Sequence, residues 1–337
     1  MKIDIYGCGM SGVTAAIFFK EQGHDVEIFE VRDHIAGNCY DEKNSDGCTV
    51  HQYGPHLFHT NDEDVWKFLN RYTKFNSFVN RVRANTKEGL ISIPFSKKTA
   101  EQLGRDLSPK EIQELLFREY SERHWGIPWE ELPKSISGRV PNKRDDYDDR
   151  YFTDKYQGIP ENGYTAMFKN MLDGIKVNLG VDRDLYKKQK ADLVVWTGKI
   201  SDYFDNAFGH LPYRSLIFEH KRVKKDPFYN WKDGCVINEC NTNPWNRTAD
   251  NSVFLNEDVD YTVHTRDYPE EYVEGKNMPI YPKPFGEGPE IYKKYKQAAD
   301  ADKNVMFLGR LATYKYLDMW MAVKQVMTTI NKSEEGK

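Results

Sequence analysis

The residues with the most explicit chemistry lie near the start of the chain, where Gly7-x-Gly9-x-x-Gly12 joins Lys2–Tyr6 to an apolar-periodic run, Val13 to Glu21. In such a motif the first glycine permits a tight turn. The second lets backbone approach a pyrophosphate, and the third allows close packing of the following helix. The phosphates then sit at the helix N-terminus, beside Ser11, where unpaired N–H groups and the helix dipole favour negative charge. Glu30 follows Gly12 by eighteen residues, where a carboxylate can accept hydrogen bonds from a ribose.

FAD and NAD both use this cradle. Two segments favour FAD. His34-Ile35-Ala36-Gly37-Asn38 follows Glu30 closely, and its small-small pair resembles the extra loop that FAD enzymes place over the pyrophosphate and flavin. Gly309-Arg310-Leu311, with Asp318 opening the last helix, resembles their third flavin-contacting segment. NAD dehydrogenases usually lack both.

The elements that position these residues are legible in the periodicity. Lys2 to Tyr6 and Asp25 to Glu30 read as strands around the helix, and the right-handed crossover rule makes them parallel. Asp192-Leu193-Val194-Val195-Trp196 and Asn304-Val305-Met306-Phe307-Leu308 are short apolar runs that look like returns to the same sheet. Thr60-Asn61-Asp62-Glu63 and Ser108-Pro109-Lys110-Glu111 have capping-box spacing ahead of apolar-periodic stretches, so both read as helix starts. From Phe75 to Pro94 and from Phe204 to Tyr281 the pattern is β-like and suggests a separate antiparallel sheet. The polar run Arg139 to Arg150 reads as a mobile surface loop, and the Ser333 to Lys337 tail as disordered. The fold expected is α/β: a discontinuous Rossmann-like FAD-binding domain (1–75, 160–205 and 290–337), a small inserted helical domain (96–138) and an antiparallel β-sheet substrate domain (76–95, 139–159 and 206–289).

Composition narrows the function. No apolar run approaches a membrane span, so no transmembrane segment is expected. Lys+Arg 48 against Asp+Glu 52 gives a net charge of -4 and no general attraction to nucleic acid. The first residues lack a signal peptide's apolar stretch, which reads as cytoplasmic. The five cysteines form no C-x-x-C pair and read as reduced and structural; no metal site is expected. Aromatic residues reach 14%, enough for a core and for a pocket around a planar ligand. His56 and His59 fall in a Gly-Pro turn, and Phe117, Tyr120 and Trp125 at helical spacing could simply be the apolar face of the Ser108 helix.

Four strings in order resemble the UDP-galactopyranose mutase family. They are Tyr53-Gly54-Pro55-His56-Leu57-Phe58-His59-Thr60; His124-Trp125-Gly126; Tyr156-Gln157-Gly158-Ile159-Pro160 with Gly163-Tyr164; and Gly309-Arg310-Leu311-Ala312-Thr313-Tyr314-Lys315-Tyr316-Leu317-Asp318-Met319. The resemblance implies a flavin-dependent isomerase that interconverts UDP-galactopyranose and UDP-galactofuranose. In that chemistry N5 of reduced FAD attacks the anomeric carbon and expels UDP, the N5–sugar adduct opens, and the C4 hydroxyl closes the ring before UDP returns. Net oxidation is zero, so an external reductant is needed only to prime the flavin, and the oxidised enzyme should be inactive.

The resemblance also assigns residues. Arg139 and Arg247 would neutralise the leaving diphosphate, with Arg139→Ala expected to abolish turnover while leaving flavin bound. Arg266 resembles a third such arginine, and Tyr151, Tyr281 and Tyr316 phosphate-side tyrosines. Phe117 and Tyr120 go to the uracil ring and Trp125 to the sugar pocket. His56 lies against the isoalloxazine, His59 having a smaller claim, and Asp318 and Met319 join Gly37, Asn38 and Arg310 around the flavin, Asp318 near the substrate as well. The chain departs from the family in four respects. Residues are missing between Phe95 and Glu111, in a domain that supplies dimer contacts in many relatives, so oligomeric state does not carry over. Ala36 replaces the first glycine of a Gly-Gly pair, a small change for a backbone with φ below zero. An insertion near Asp145-Asp146 bears on loop closure, and Arg247 lacks the usual Tyr-Thr before it. Two other readings compete: an FAD-dependent oxidoreductase of the amine-oxidase type, which would consume oxygen, and a non-catalytic UDP-sugar binder.

Overall fold

In the computed structural model, which describes residues 1–137, 143–187, 190–226 and 234–335, Lys2–Tyr6 pairs in parallel with Asp25–Phe29, Ile3 opposite Val26 and Tyr6 opposite Phe29. The helix between them runs Met10–Glu21, three residues longer at its start than the apolar period suggests, so Ser11 and Gly12 lie in its first turn. Val13, Ala15, Ala16, Ile17 and Phe19 are all buried, because the helix is sandwiched between the sheet and the C-terminal helix Met319–Glu335. A helix apolar nearly all round is an interior helix.

Five strands form an all-parallel sheet in the order Val305–Phe307, Leu193–Trp196, Lys2–Tyr6, Asp25–Phe29, Lys176–Asn178. The last was not anticipated, since three residues carry no period. The carboxyl ends of the strands open onto Gly7, Glu30, Thr197 and Leu308, and open α/β sheets bind ligands beyond those ends. On the face opposite the helices, Tyr6, Phe29, Trp196 and Tyr186 form an aromatic layer, with Tyr6 and Phe29 centroids 5.2 Å apart.

A second sheet has seven strands in the order Tyr281–Pro282, Tyr213–Lys224, Tyr261–Glu271, Arg247–Asp250, Val236–Cys240, Val82–Thr86, Gly89–Ile93. It departs from the antiparallel expectation at one seam. Val236–Cys240 runs parallel to Val82–Thr86, which a long excursion between them permits. That excursion begins with the hairpin partner Gly89–Ile93 and continues through helices Lys97–Leu103, Pro109–Leu116, Arg118–Trp125 and Lys134–Ser137.

Local rules explain most boundaries. Ser108 and Glu111 cap each other reciprocally ahead of Pro109. At the other expected start the cap is Asp62, whose side chain accepts from the Val65 N–H, while Thr60 closes the short strand before it. The Ser108 helix ends at Phe117 (φ -128, ψ -32), so Arg118–Trp125 is a separate helix with its own direction. Part of the polar run and part of the tail fall within the described residues, while 139–142 and 336–337 lie outside them. The Arg144 N–H donates to the Phe95 carbonyl (2.9 Å) and the Lys97 N–H to that of Asp146 (3.0 Å), which ties residues 143–150 to the helical segment. The final helix continues to Glu335, past Ser333. Among the described residues no helix is long and apolar enough to cross a membrane, and no group of three or more His, Cys, Asp or Glu could hold a metal ion.

Candidate active site

The glycine turn is closed by contact. A Cβ on Gly12 would lie 2.0 Å from the Gly7 carbonyl oxygen, so only glycine lets the first helical turn sit this close to the strand end. Gly37, at φ +55, faces Gly9 so closely that a Cβ would come within 2.9 Å of the Gly9 Cα. Two backbones thus form the walls of a slot. Glu30 is buried at its edge, accepting from the Cys8 N–H (2.7 Å) and the Arg32 N–H (3.0 Å), with lone pairs left over for a ribose. Asn38 Oδ1 accepts from Arg32 Nη2 (2.9 Å). Beyond the slot a cavity of about 650 Å³ extends past Ser11 and His56 to Arg310, Asp318 and Met319. Its volume is within the ~300–1,000 Å³ typical of ligand sites, and a side chain at position 12 or 37 would fill the cradle, so these residues fit a dinucleotide.

Ala36 corrects the sequence reading. It takes φ +72, the left-handed region, not a negative φ, a conformation that costs a non-glycine residue about 1–2 kcal/mol.

His56 forms part of the cavity wall. Its Nδ1–H donates to the Gly54 carbonyl (2.9 Å), and its backbone N–H donates to His51 Nδ1 (3.1 Å). Burial pushes its pKa down to about 3, so the ring is neutral with Nε2 as an acceptor. His59 has a different fate. Its Nδ1 pairs with Asp154 (2.9 Å) and its ring stacks on Phe152 (3.6 Å), which in turn meets the Tyr151 ring edge-on (5.1 Å).

Arg310 links this cavity to a second cluster of polar and aromatic side chains. Its guanidinium donates to the Leu317 carbonyl through Nη2 (2.6 Å) and lies over both Tyr281 (5.2 Å) and Tyr316 (5.4 Å), whose rings stack at 5.8 Å. In that cluster, Arg247 Nε donates to Asp267 Oδ2 (2.6 Å) on the adjacent strand. Burial drives the Tyr120 hydroxyl far above its ordinary pKa, with Arg247 pulling it back, and Tyr151 shows the same opposition. Both tyrosines therefore stay protonated donors close to Arg247.

Other expected residues are placed differently. Arg266 is a correction: it pairs opposite Thr248, one residue out of phase with Arg247, so strand alternation puts it on the other face. There it meets Glu219 (3.6 Å) and the Trp245 ring (4.2 Å). Phe117, at the helix break, is turned into the main core. Trp125 is buried edge-on to His124 (5.0 Å) and Phe285 (5.7 Å). Arg139 lies outside the described residues.

Sequence reasoning missed the scaffold around Arg247. Asp267 had no signal until the strand register paired it with Arg247. Asn246 and His124 stand inside strings that were noticed, but their side chains meet only through the fold, Asn246 Nδ2 to His124 Nδ1 at 3.0 Å.

Comparison with known proteins identifies the family. Residues 115–316 match the family model described as UDP-galactopyranose mutase, and residues 5–72 match the NAD(P)-binding Rossmann-like domain. The chain is 35% identical to a dTDP-fucopyranose mutase of Escherichia coli, over 97% of this chain and 96% of that protein. It is 33% identical to a probable UDP-galactopyranose mutase of Klebsiella pneumoniae, over 98% and 94%. A crystal structure of reduced UDP-galactopyranose mutase superposes with a TM-score of 0.74 at 14% identity, covering 100% of this chain and 94% of that one. A putrescine oxidase variant matches the fold at 0.57 and 13% identity, over 100% and 99%. With a family model spanning more than half its length and relatives above 30% identity end to end, the chain belongs to the UDP-galactopyranose mutase family.

Proposed function

We propose that the protein binds FAD in the glycine-walled cavity and interconverts UDP-galactopyranose and UDP-galactofuranose. One observation carries the reading: Arg310 forms part of the dinucleotide cavity and also lies over the Tyr281–Tyr316 stack, so cofactor and diphosphate sites share a wall. An amine oxidase has no diphosphate to neutralise, and Arg247 with three neighbouring tyrosines would have no purpose there.

Gly9, Gly12, Gly37, Asn38 and Glu30 would hold the pyrophosphate and ribose, and His56, Arg310, Asp318 and Met319 the flavin end. Bound and reduced by an external donor, the flavin supplies through N5 a nucleophile toward the anomeric carbon of the sugar. The chain's own residues do the rest. Arg247, fixed by Asp267, would place a permanent positive charge where the leaving UDP develops negative charge, with burial strengthening the interaction. Tyr120 and Tyr151, held protonated by burial, offer hydroxyl donors beside it. His56 stays neutral and presents Nε2 as an acceptor without adding charge near the flavin. Arg139, expected from the sequence at the diphosphate, remains part of the proposal.

The 35% identity to a dTDP-fucopyranose mutase favours a second substrate, the 6-deoxy sugar on dTDP. Supplying the reduced enzyme with UDP-galactofuranose and dTDP-fucofuranose separately, and resolving products by chromatography, tests both. Formation of UDP-galactopyranose supports the proposal. Conversion of the dTDP sugar alone reassigns the substrate, and conversion of neither overturns the mutase reading.

A further inference from the structure

The side chains around Arg247 include a histidine whose tautomer is set by a relay of hydrogen bonds. Arg123 is a donor only, and its Nε–H is given to Asn246 Oδ1 (2.8 Å) while Nη1 and Nη2 take the carbonyls of Asn241 and Glu239. That contact orients the Asn246 amide, which is buried and further pinned by its backbone N–H on the Asp267 carbonyl (2.8 Å). Its NH₂ group must then point to His124 Nδ1, at 3.0 Å. A ring nitrogen that accepts carries no proton, so in the neutral imidazole the proton sits on Nε2. Burial, with Arg247 and Arg214 adding to it, pushes the His124 pKa down to about 3 and keeps the ring neutral.

The backbone under this ring is equally fixed. Arg214, itself 5% exposed, donates Nε–H to the His124 carbonyl (2.7 Å) and Nη2–H to that of Arg123 (3.2 Å). The end of the Arg118–Trp125 helix is thereby tied to the large sheet. The ring lies between Tyr120 (6.1 Å), Trp125 (5.0 Å) and Tyr281 (5.0 Å). Its Nε2 has no acceptor among the described residues. A neutral donor with its proton uncommitted, beside Tyr120 and Tyr281 and within electrostatic reach of Arg247, is what an anionic oxygen needs in addition to a point charge.

We infer that His124 is a substrate-binding residue whose Nε2–H donates to a diphosphate oxygen of the nucleotide sugar, its tautomer dictated by the Arg123–Asn246 relay. The inference rests on the proposed nucleotide-sugar function and adds a donor that the sequence comparison did not assign. It also separates two substitutions of similar size. Gln can place an NH₂ where Nε2 stands, whereas Asn reaches only to the Nδ1 position.

The test is titration of the flavin-loaded, oxidised protein with UDP alone, for wild type, His124→Gln and His124→Asn. Hydrogen bonds to charged groups of this kind amount to about a 10- to 100-fold change in affinity. His124→Asn is expected to weaken UDP binding by that factor, with His124→Gln within about threefold of wild type. Equal weakening in both variants, or none in either, overturns the inference. Wild type that fails to bind UDP at all overturns the proposed function instead. Because a variant can disturb packing, ¹⁵N chemical shifts of the nine histidines in wild type provide an independent reading, with His124→Gln identifying the signal. The relay requires an unprotonated Nδ1 and a protonated Nε2, and the opposite tautomer would overturn it.

Discussion

Arg247 and Asp267 face each other across adjacent strands, with Nε 2.6 Å and Nη2 2.5 Å from one carboxylate oxygen of a residue only 1% exposed. The pair means that the cation proposed here to meet the diphosphate is held in place by the protein itself. Arg247→Ala should lower turnover by at least about 100-fold and stability by about 3 kcal/mol, since it strands a buried carboxylate. Asp267→Asn removes the tether and leaves the Arg247 guanidinium without its counter-ion, but that side chain is 24% exposed against 1% for Asp267, so the variant should raise KM with a smaller loss of stability. Steady-state kinetics and urea unfolding of the two variants check this, and equal stability losses would contradict it.

The glycine contacts lead to a cofactor prediction. Gly12→Ala would drive a methyl to 2.0 Å from the Gly7 carbonyl, so the turn must open. The purified variant should lack bound flavin, measured by its visible absorbance, while keeping wild-type far-ultraviolet circular dichroism. Full flavin occupancy would show that the cradle lies elsewhere.

One wall of the cavity is a loop from the large sheet, Gly275 to Pro279, facing residues of the Rossmann-like domain. Glu274 ties that loop to buried Lys199 and, at 3.5 Å, to Arg183. Glu274→Gln should release flavin severalfold faster, and in wild type high salt should act in the same direction by screening the exposed part of the pairs. Stopped-flow transfer of flavin to an apo-acceptor protein measures the rate; identical rates would remove the loop's role.

Stability should depend steeply on acid. His51, His56 and His124 are each pushed down to about 3 by burial, from an ordinary value near 6.5. Below pH 6.5 the unfolded chain binds protons that the native protein refuses, so their contribution is complete above 6.5 and is lost as pH falls toward 3. Each histidine contributes about 1.4 kcal/mol per pH unit to that slope. Urea midpoints at pH 7.5 and 5.5 should differ strongly, and less in His51→Phe. A flat profile would contradict the buried neutral rings.

The dinucleotide cradle could be read from sequence because its determinants are local: Gly7, Gly9, Gly12 and Glu30 act through turn geometry and neighbouring strands. The capping box at Ser108 is legible for the same reason. What sequence could not supply was phase between distant segments. Arg266 and Arg247 look alike as letters, and only the register that pairs Arg247 with Asp267 puts them on opposite faces. Likewise the Ser108 helix looks continuous through Trp125, but the backbone breaks at Phe117 and turns that ring into the core. Ala36 takes its positive φ next to the Gly9–Gly37 contact, a tertiary arrangement that the residue letters alone do not reveal.

The most direct test of the central claim is the conversion of UDP-galactofuranose by flavin-loaded protein, with and without dithionite, followed by chromatography of the UDP-sugars. The expected result is UDP-galactopyranose in the reduced sample alone, with no oxygen consumed by the oxidised one. Equal turnover by the oxidised protein, or none by protein whose bound flavin is demonstrably reduced, would contradict a reduced-flavin mutase.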